Sequence, residues 1–88
     1  MIKEEIEIKN RLGIHARPAA MLAQEAGKYQ SDIFIAKEGM EVNAKSIMGI
    51  MMIAAEQGSR VQLTVQGADE QEAMASLKDV FNKIFEEE

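Results

Sequence analysis

The residues best suited to chemistry are crowded into one stretch, Gly13-Ile14-His15-Ala16-Arg17-Pro18-Ala19, which holds the chain's single histidine and single proline. A neutral imidazole keeps a lone pair that can attack phosphorus. A guanidinium two residues on can hold phosphate oxygens through charge-assisted hydrogen bonds. Proline is tolerated in the first turn of a helix, and the alanine-rich run from Ala19 to Ala26 reads as that helix. His15 then stands at the mouth of a helix N-terminus, where unpaired N–H groups and the positive end of the dipole favour an anion. Gly13, two residues earlier, permits a close backbone approach or an unusual φ. A positive charge such as Arg17 is slightly unfavourable at a helix start, so its placement asks for a reason other than stability. Together these residues could hold a phosphoryl group on His15, with Arg17 and the backbone around Ala16 and Pro18 as its cradle.

Ser46 is the second residue of interest. It follows Lys45 and precedes the apolar run Ile47 to Ala55, so it is placed to cap a short second helix, worth about 1 kcal/mol. That helix is apolar nearly all round. Ile50, Ile53 and Ala54 form one stripe, and Ile47, Met48 and Met51 another. A short helix on a sheet cannot bury both, so the methionine stripe is expected to be exposed beside His15, where adaptable side chains suit several partners.

The elements that must position these groups follow from periodicity. Ile2, Ile6 and Ile8 alternate with Lys3, Glu5 and Glu7, the pattern of a strand with one buried face, although Glu4 falls on the apolar side. A helix over Ala16–Ala26 buries Ala19, Leu22, Ala23 and Ala26, with Gly27 set to end it at C′. Strands over Ile33–Lys37 and Met40–Asn43 flank a hairpin turn at Glu38-Gly39. The second helix, about Ile47–Ala55, is closed by Gly58. A strand follows around Val61, Leu63 and Val65. Asp69 and Glu72 resemble a capping box for a last helix, about Glu70–Phe85, with Ala73, Leu77, Val80, Phe81 and Ile84 inward. Glu86-Glu87-Glu88 reads as a frayed tail. The order is βαββαβα, an α+β open-faced sandwich: a four-stranded antiparallel sheet with all three helices on one face.

Composition narrows the function. Eighty-eight residues, 47% of them hydrophobic, make one small domain spanning 1–88. With no cysteine there is no disulfide framework, thiol nucleophile or zinc–thiolate site, and a lone histidine argues against a transition metal. No secretory h-region opens the chain, and the longest apolar run falls short of the ~20 residues a membrane span needs. A cytoplasmic protein with no membrane insertion is expected. The net charge is −5, which argues against nucleic acid. No acidic residue occurs from Ile8 to Gln24, where Lys9, Arg11 and Arg17 add +3, so the remainder carries −8. A second acid-free window runs from Val42 to Ala55. Two such patches on an acidic protein point to docking on acidic protein surfaces.

Gly13-Ile14-His15-Ala16-Arg17-Pro18-Ala19 resembles the active-site motif of the histidine-containing phosphocarriers of the bacterial phosphoenolpyruvate-dependent phosphotransferase system, the HPr family. Lys45-Ser46-Ile47-Met48-Gly49 resembles the same family's regulatory serine region, at the expected distance, and the likeness spans essentially the whole chain. It implies that enzyme I phosphorylates His15 on Nδ1 and that the A domain of a sugar-specific enzyme II receives the group. Arg17 and the helix-start N–H groups would steady it. Such a protein is a carrier rather than a turnover enzyme, with no cofactor beyond the covalent phosphoryl group and a monomer as its expected state. The resemblance further implies phosphorylation of Ser46 by a serine kinase/phosphorylase and contact with a transcriptional regulator. Ala20, Gln24, Ile47, Met48 and Met51, with Arg17, would form the shared partner surface. Leu12, Gly27 and Ala54 are less typical of the family. Pro18, often missing from relatives of the nitrogen-related branch, favours the sugar branch. The alternative is a regulatory binding module of the same fold, acting through Ser46 and the methionine surface, including a nitrogen-branch regulator.

Overall fold

The computed structural model describes residues 1–87. Its elements are β1 (Ile2–Glu7), α1 (Ala16–Ala26), β2 (Asp32–Lys37), β3 (Met40–Asn43), α2 (Ile47–Ile53), β4 (Arg60–Gln66) and α3 (Glu70–Glu87). The βαββαβα order and the antiparallel sheet are as predicted. The strands lie in the order β1-β4-β2-β3, with Ile33 opposite Val65 and Ile6 opposite Val61. Because strand side chains alternate between faces, Val61, Leu63, Val65, Ile33 and Ile35 all enter one layer. There they meet Leu22 of α1, Ile50 of α2 and Leu77, Phe81 and Ile84 of α3 in a single buried cluster. No helix among the described residues is long and apolar enough to cross a membrane.

Glu4 shows how an edge strand tolerates a charge on its inward face. It lies in register with Leu63 of β4, yet at the margin of the helix layer its carboxylate accepts a hydrogen bond from Lys78 Nζ of α3 at 2.7 Å. The outer sheet face is less polar than the sequence implied, since half-buried Phe34 sits opposite the buried Thr64.

Four local expectations need correction. Gly27 has φ −64° and ψ −16°, so α1 ends through further right-handed turns and not through a left-handed glycine. Helix α2 stops at Ile53, two residues early, and Ala54 takes the left-handed conformation with φ 53°. Gly58, with φ 89°, serves the next turn, where its N–H donates to the Ile8 carbonyl at 2.8 Å. The proposed capping box is replaced by another arrangement. Glu70 accepts from the Gly67 N–H at 3.1 Å, while the Asp69 carboxylate turns away to accept the N–H groups of Gln30 and Ser31 at 2.9 and 3.0 Å, and the Ser31 hydroxyl. Glu86 and Glu87 belong to the C-terminal region of α3, which runs on through Glu87, and Glu88 lies outside the described residues.

Candidate functional site

The loop before α1 is shaped by Gly13 and Asn10. Gly13 adopts φ +68°, a left-handed conformation that glycine reaches without strain. A Cβ added there would lie 2.3 Å from the Ala55 carbonyl oxygen, so the backbone can approach α2's end only without a side chain. Asn10 is 1% exposed, and its Nδ2 donates to the Gly13 carbonyl at 2.7 Å. Ile14 then donates its N–H to the Ala55 carbonyl at 2.8 Å and buries its side chain. The residue before the histidine is therefore fixed twice, by backbone and by core. Asn10 and Ala55 were missed by sequence reasoning. The Asn-x-x-Gly spacing ahead of the motif was the available signal.

His15 is the N-cap residue of α1, extended at φ −88° and ψ −167°, and its side chain makes no capping hydrogen bond. Its carbonyl accepts from the Ala19 N–H at 3.0 Å. The N–H groups of Ala16 and Arg17 precede the first intrahelical bond and so lack a helical acceptor; Pro18, third in the helix, has no N–H to offer. The start of α1 thus offers the N–H groups of Ala16 and Arg17 next to the histidine. The first turn holds no acidic residue. Ala16 and Arg17 are exposed, His15 is half-buried, and Pro18 is buried on the core side. Four predicted residues, His15, Ala16, Arg17 and Pro18, thus fall together at one helix end. This arrangement can present an imidazole nucleophile with backbone N–H groups and a guanidinium on the neighbouring residues. A cleft of about 270 Å³ lined by Glu5, Lys9, Lys78 and Phe81 lies between β1 and α3 and includes none of these groups.

Ser46 caps α2 as expected, its Oγ accepting the Gly49 N–H at 3.0 Å. Gly49 makes this tight start feasible, since a Cβ there would meet Ser46 Oγ at 3.2 Å and the Asn43 carbonyl at 3.3 Å. Lys45 is tied back, donating to the Tyr29 carbonyl beyond the end of α1 at 2.9 Å. The two contacts, Lys45 to Tyr29 and Ile14 to Ala55, make α1 and α2 run in opposite directions. Ser46 and His15 therefore lie at opposite ends of a seven-residue helix, roughly 10 Å long at 1.5 Å per residue.

Between them the apolar helix divides nearly as foreseen: Ile50 and Ile53 are buried, while Ile47, Met48 and Met51 are exposed. Ala54, expected on the inward stripe, is exposed because the helix has already ended and turned left-handed there. Met52, 67% exposed, was overlooked despite lying four residues after Met48, and Leu12 is 64% exposed on the loop ahead of His15. Ala20 is half-buried and Gln24 exposed on α1.

Residues 2–83 match the family model described as "PTS HPr component phosphorylation site". The chain belongs to the HPr family. The phosphocarrier protein HPr of Neisseria meningitidis is 46% identical over 87 residues, covering 99% of this chain and 98% of that protein. The HPr-like protein Crh of Halalkalibacterium halodurans is 51% identical over 77 residues, covering 88% and 92%. A crystal structure of HPr from Thermoanaerobacter tengcongensis superposes with a TM-score of 0.93 at 49% identity, covering 100% of this chain and 99% of that one. The relatives divide between HPr carriers and HPr-like Crh, so membership of the HPr family leaves the choice between those roles to the residues of this chain.

Proposed function

We propose that this chain is a phosphoryl relay of the phosphotransferase system. His15 Nδ1 attacks the phosphorus of phosphorylated enzyme I. A new P–N bond forms as the donor's bond breaks, and the departing group keeps the electron pair. The same exchange then hands the phosphoryl group to the A domain of an enzyme II. Arg17 and the N–H groups of Ala16 and Arg17 neutralise the phosphoryl oxygens in both steps, while Ala20, Gln24, Ile47, Met48 and Met51 meet each partner in turn. The observation that carries this reading is the start of α1: a histidine at the N-cap next to the helix-start N–H groups, a first turn with no acidic residue, and an arginine where stability alone would place an acid. A carrier that must leave every partner works as a cytoplasmic monomer.

A second reading has one observation in its favour. Ser46 is exposed at the end of the methionine row, and a relative with 51% identity is called HPr-like Crh. Phosphorylation of Ser46 by a serine kinase would set negative charge on the docking surface at a helix N-terminus that tolerates it. The chain could then act on a transcriptional regulator as a regulatory module.

Incubation with phosphoenolpyruvate, magnesium and enzyme I, followed by intact-mass measurement, separates the two. One acid-labile phosphoryl group, absent in His15→Ala, is expected. No added mass with an enzyme I active on another carrier would overturn the relay and leave the regulatory module.

A further inference from the structure

The chain has no cysteine and seven methionines, so all its readily oxidised sulfur is thioether. That sulfur is unevenly placed. Met74 is 3% exposed in the core, and Met21 is half-buried against it. Met1, ahead of β1, and Met40, on β3, are 64% and 47% exposed and stand apart, whereas Met48, Met52 and Met51 are 77%, 67% and 43% exposed together on α2. Met48 and Met52 are four residues apart, so they stand on one side of α2, in a row that runs from the Ser46 end toward the His15 end. The helix carries no charged or hydroxyl side chain to shield them. Nothing in the fold requires these two side chains, which leave the core to Ile50 and Ile53.

We propose that Met48 and Met52 are an oxidation site through which peroxides lower docking, without altering the phosphohistidine chemistry. The inference rests on the relay reading above. The thioether sulfur attacks one oxygen of hydrogen peroxide. A S–O bond forms, the O–O bond breaks, and proton transfer releases water. Sulfur is oxidised by two electrons and peroxide is reduced by two. The product sulfoxide is polar and chiral where the docking face was apolar and adaptable. A partner that buries this row must then desolvate a strong acceptor with no donor built to meet it. The imidazole itself is not the oxidised group, because His15 lies on α1 while both sulfurs lie on α2. Stereospecific methionine sulfoxide reductases, drawing on a dithiol, would return the sulfur to its starting state.

The test treats the full chain with graded hydrogen peroxide, locates sulfoxides by peptide mass mapping, and measures phosphorylation by enzyme I. Met48 and Met52 should oxidise ahead of Met21 and Met74. KM for the carrier should rise about 10-fold with kcat within twofold, and reductase treatment should restore it. The triple variant Met48→Leu/Met51→Leu/Met52→Leu, whatever its starting KM, should show the same KM before and after peroxide. Oxidation first at Met21 or Met74 would overturn the proposal, as would full oxidation of Met48 and Met52 with KM unmoved. Untreated protein that accepts no phosphoryl group would overturn the relay reading and this one with it.

Discussion

Two helix N-termini sit at opposite ends of one surface and are finished differently. At α2, Ser46 supplies the hydroxyl that a helix start requires and closes on the Gly49 N–H at 3.0 Å. At α1, the same position holds His15, with no capping bond and no acidic residue in the first turn. The third start, at α3, has Glu70 and Glu72 in its first turn. Where only folding is at stake, the chain caps its helices or supplies acid. The start of α1 departs from both habits: its N-cap makes no side-chain capping bond and its first turn holds no acid.

The sharpest way to break this contrast is to finish α1 as the others are finished. His15→Asp places a strong capping residue on the N-cap and a negative charge on the dipole, and should raise stability by about 1 kcal/mol. It should also abolish phosphoryl transfer, the largest effect expected of any substitution here. Chemical denaturation and the enzyme I mass assay read the two together. A less stable His15→Asp variant would show that the histidine is there for the fold.

Gly13→Ala probes the loop that presents the histidine. At φ +68° a Cβ is strained, and here it would also strike the Ala55 carbonyl at 2.3 Å. A loss of about 3 kcal/mol is expected, with the Ile14–Ala55 bond disturbed and transfer reduced in proportion. Urea unfolding measures the first, and single-turnover phosphorylation the second. A well-tolerated alanine would mean that the loop and α2 are not held together as described.

The contrast extends to pH. The Ser31 hydroxyl, and then the N–H of Gln30, hold the Asp69 carboxyl below its ordinary range. The Gly67 N–H, followed by the N-terminal ammonium, does the same for Glu70. Both groups are more acidic folded than unfolded, so the folded state binds fewer protons as the pH falls toward 4. Their stabilisation is complete above the unfolded pKa and disappears as pH drops through the lower folded values. Tm should therefore fall between pH 5 and pH 3 in the natural chain and fall less in Asp69→Asn, which begins lower. Equal slopes would remove Asp69 from the acid transition.

Ser46→Ala should cost about 1 kcal/mol in urea unfolding while leaving phosphorylation of His15 by enzyme I within twofold, because the hydroxyl is a helix length from the imidazole. A larger fall in transfer than in stability would place Ser46 inside the docking contact.

What could be read in advance divides along physical lines. Period-two and period-3.6 patterns located every element, since burial at residues such as Val61, Leu63, Leu77 and Phe81 is a property of the sequence pattern itself. The His15–Pro18 cluster was legible because those residues are neighbours in the chain. Asn10, three residues before Gly13, left a local signal that was passed over. Ala55 was not legible, because its carbonyl holds Ile14 through a backbone contact across about forty residues that no side-chain pattern encodes. Asp69 was misread for the same reason. It satisfied a local rule, the capping box, but the turn at Gln30–Ser31 offered its carboxylate three donors, and three outweigh one. Met52 was legible and passed over, four residues beyond Met48 on the same face.

The smallest effect tests the point where the end of α2 meets the loop ahead of α1. Ala54 ends α2 at φ 53° and ψ 47°, a conformation in which an alanine is strained by about 1–2 kcal/mol. Glycine relieves that strain but gives back part of the gain through the greater freedom of the unfolded chain. Ala54→Gly should therefore stabilise the protein by about 0.5 kcal/mol net, a Tm rise of about 3 °C. The methyl group lost is exposed, so no burial offsets the gain. The neighbouring carbonyl, that of Ala55, is the one that holds Ile14. If the strain serves only to end the helix, transfer by Ala54→Gly stays within twofold of the natural chain, and this is the expected outcome. If transfer falls while Tm rises, the strained alanine is part of what sets the histidine loop against α2, and the positioning of His15 reaches further into α2 than the hydrogen bonds alone imply.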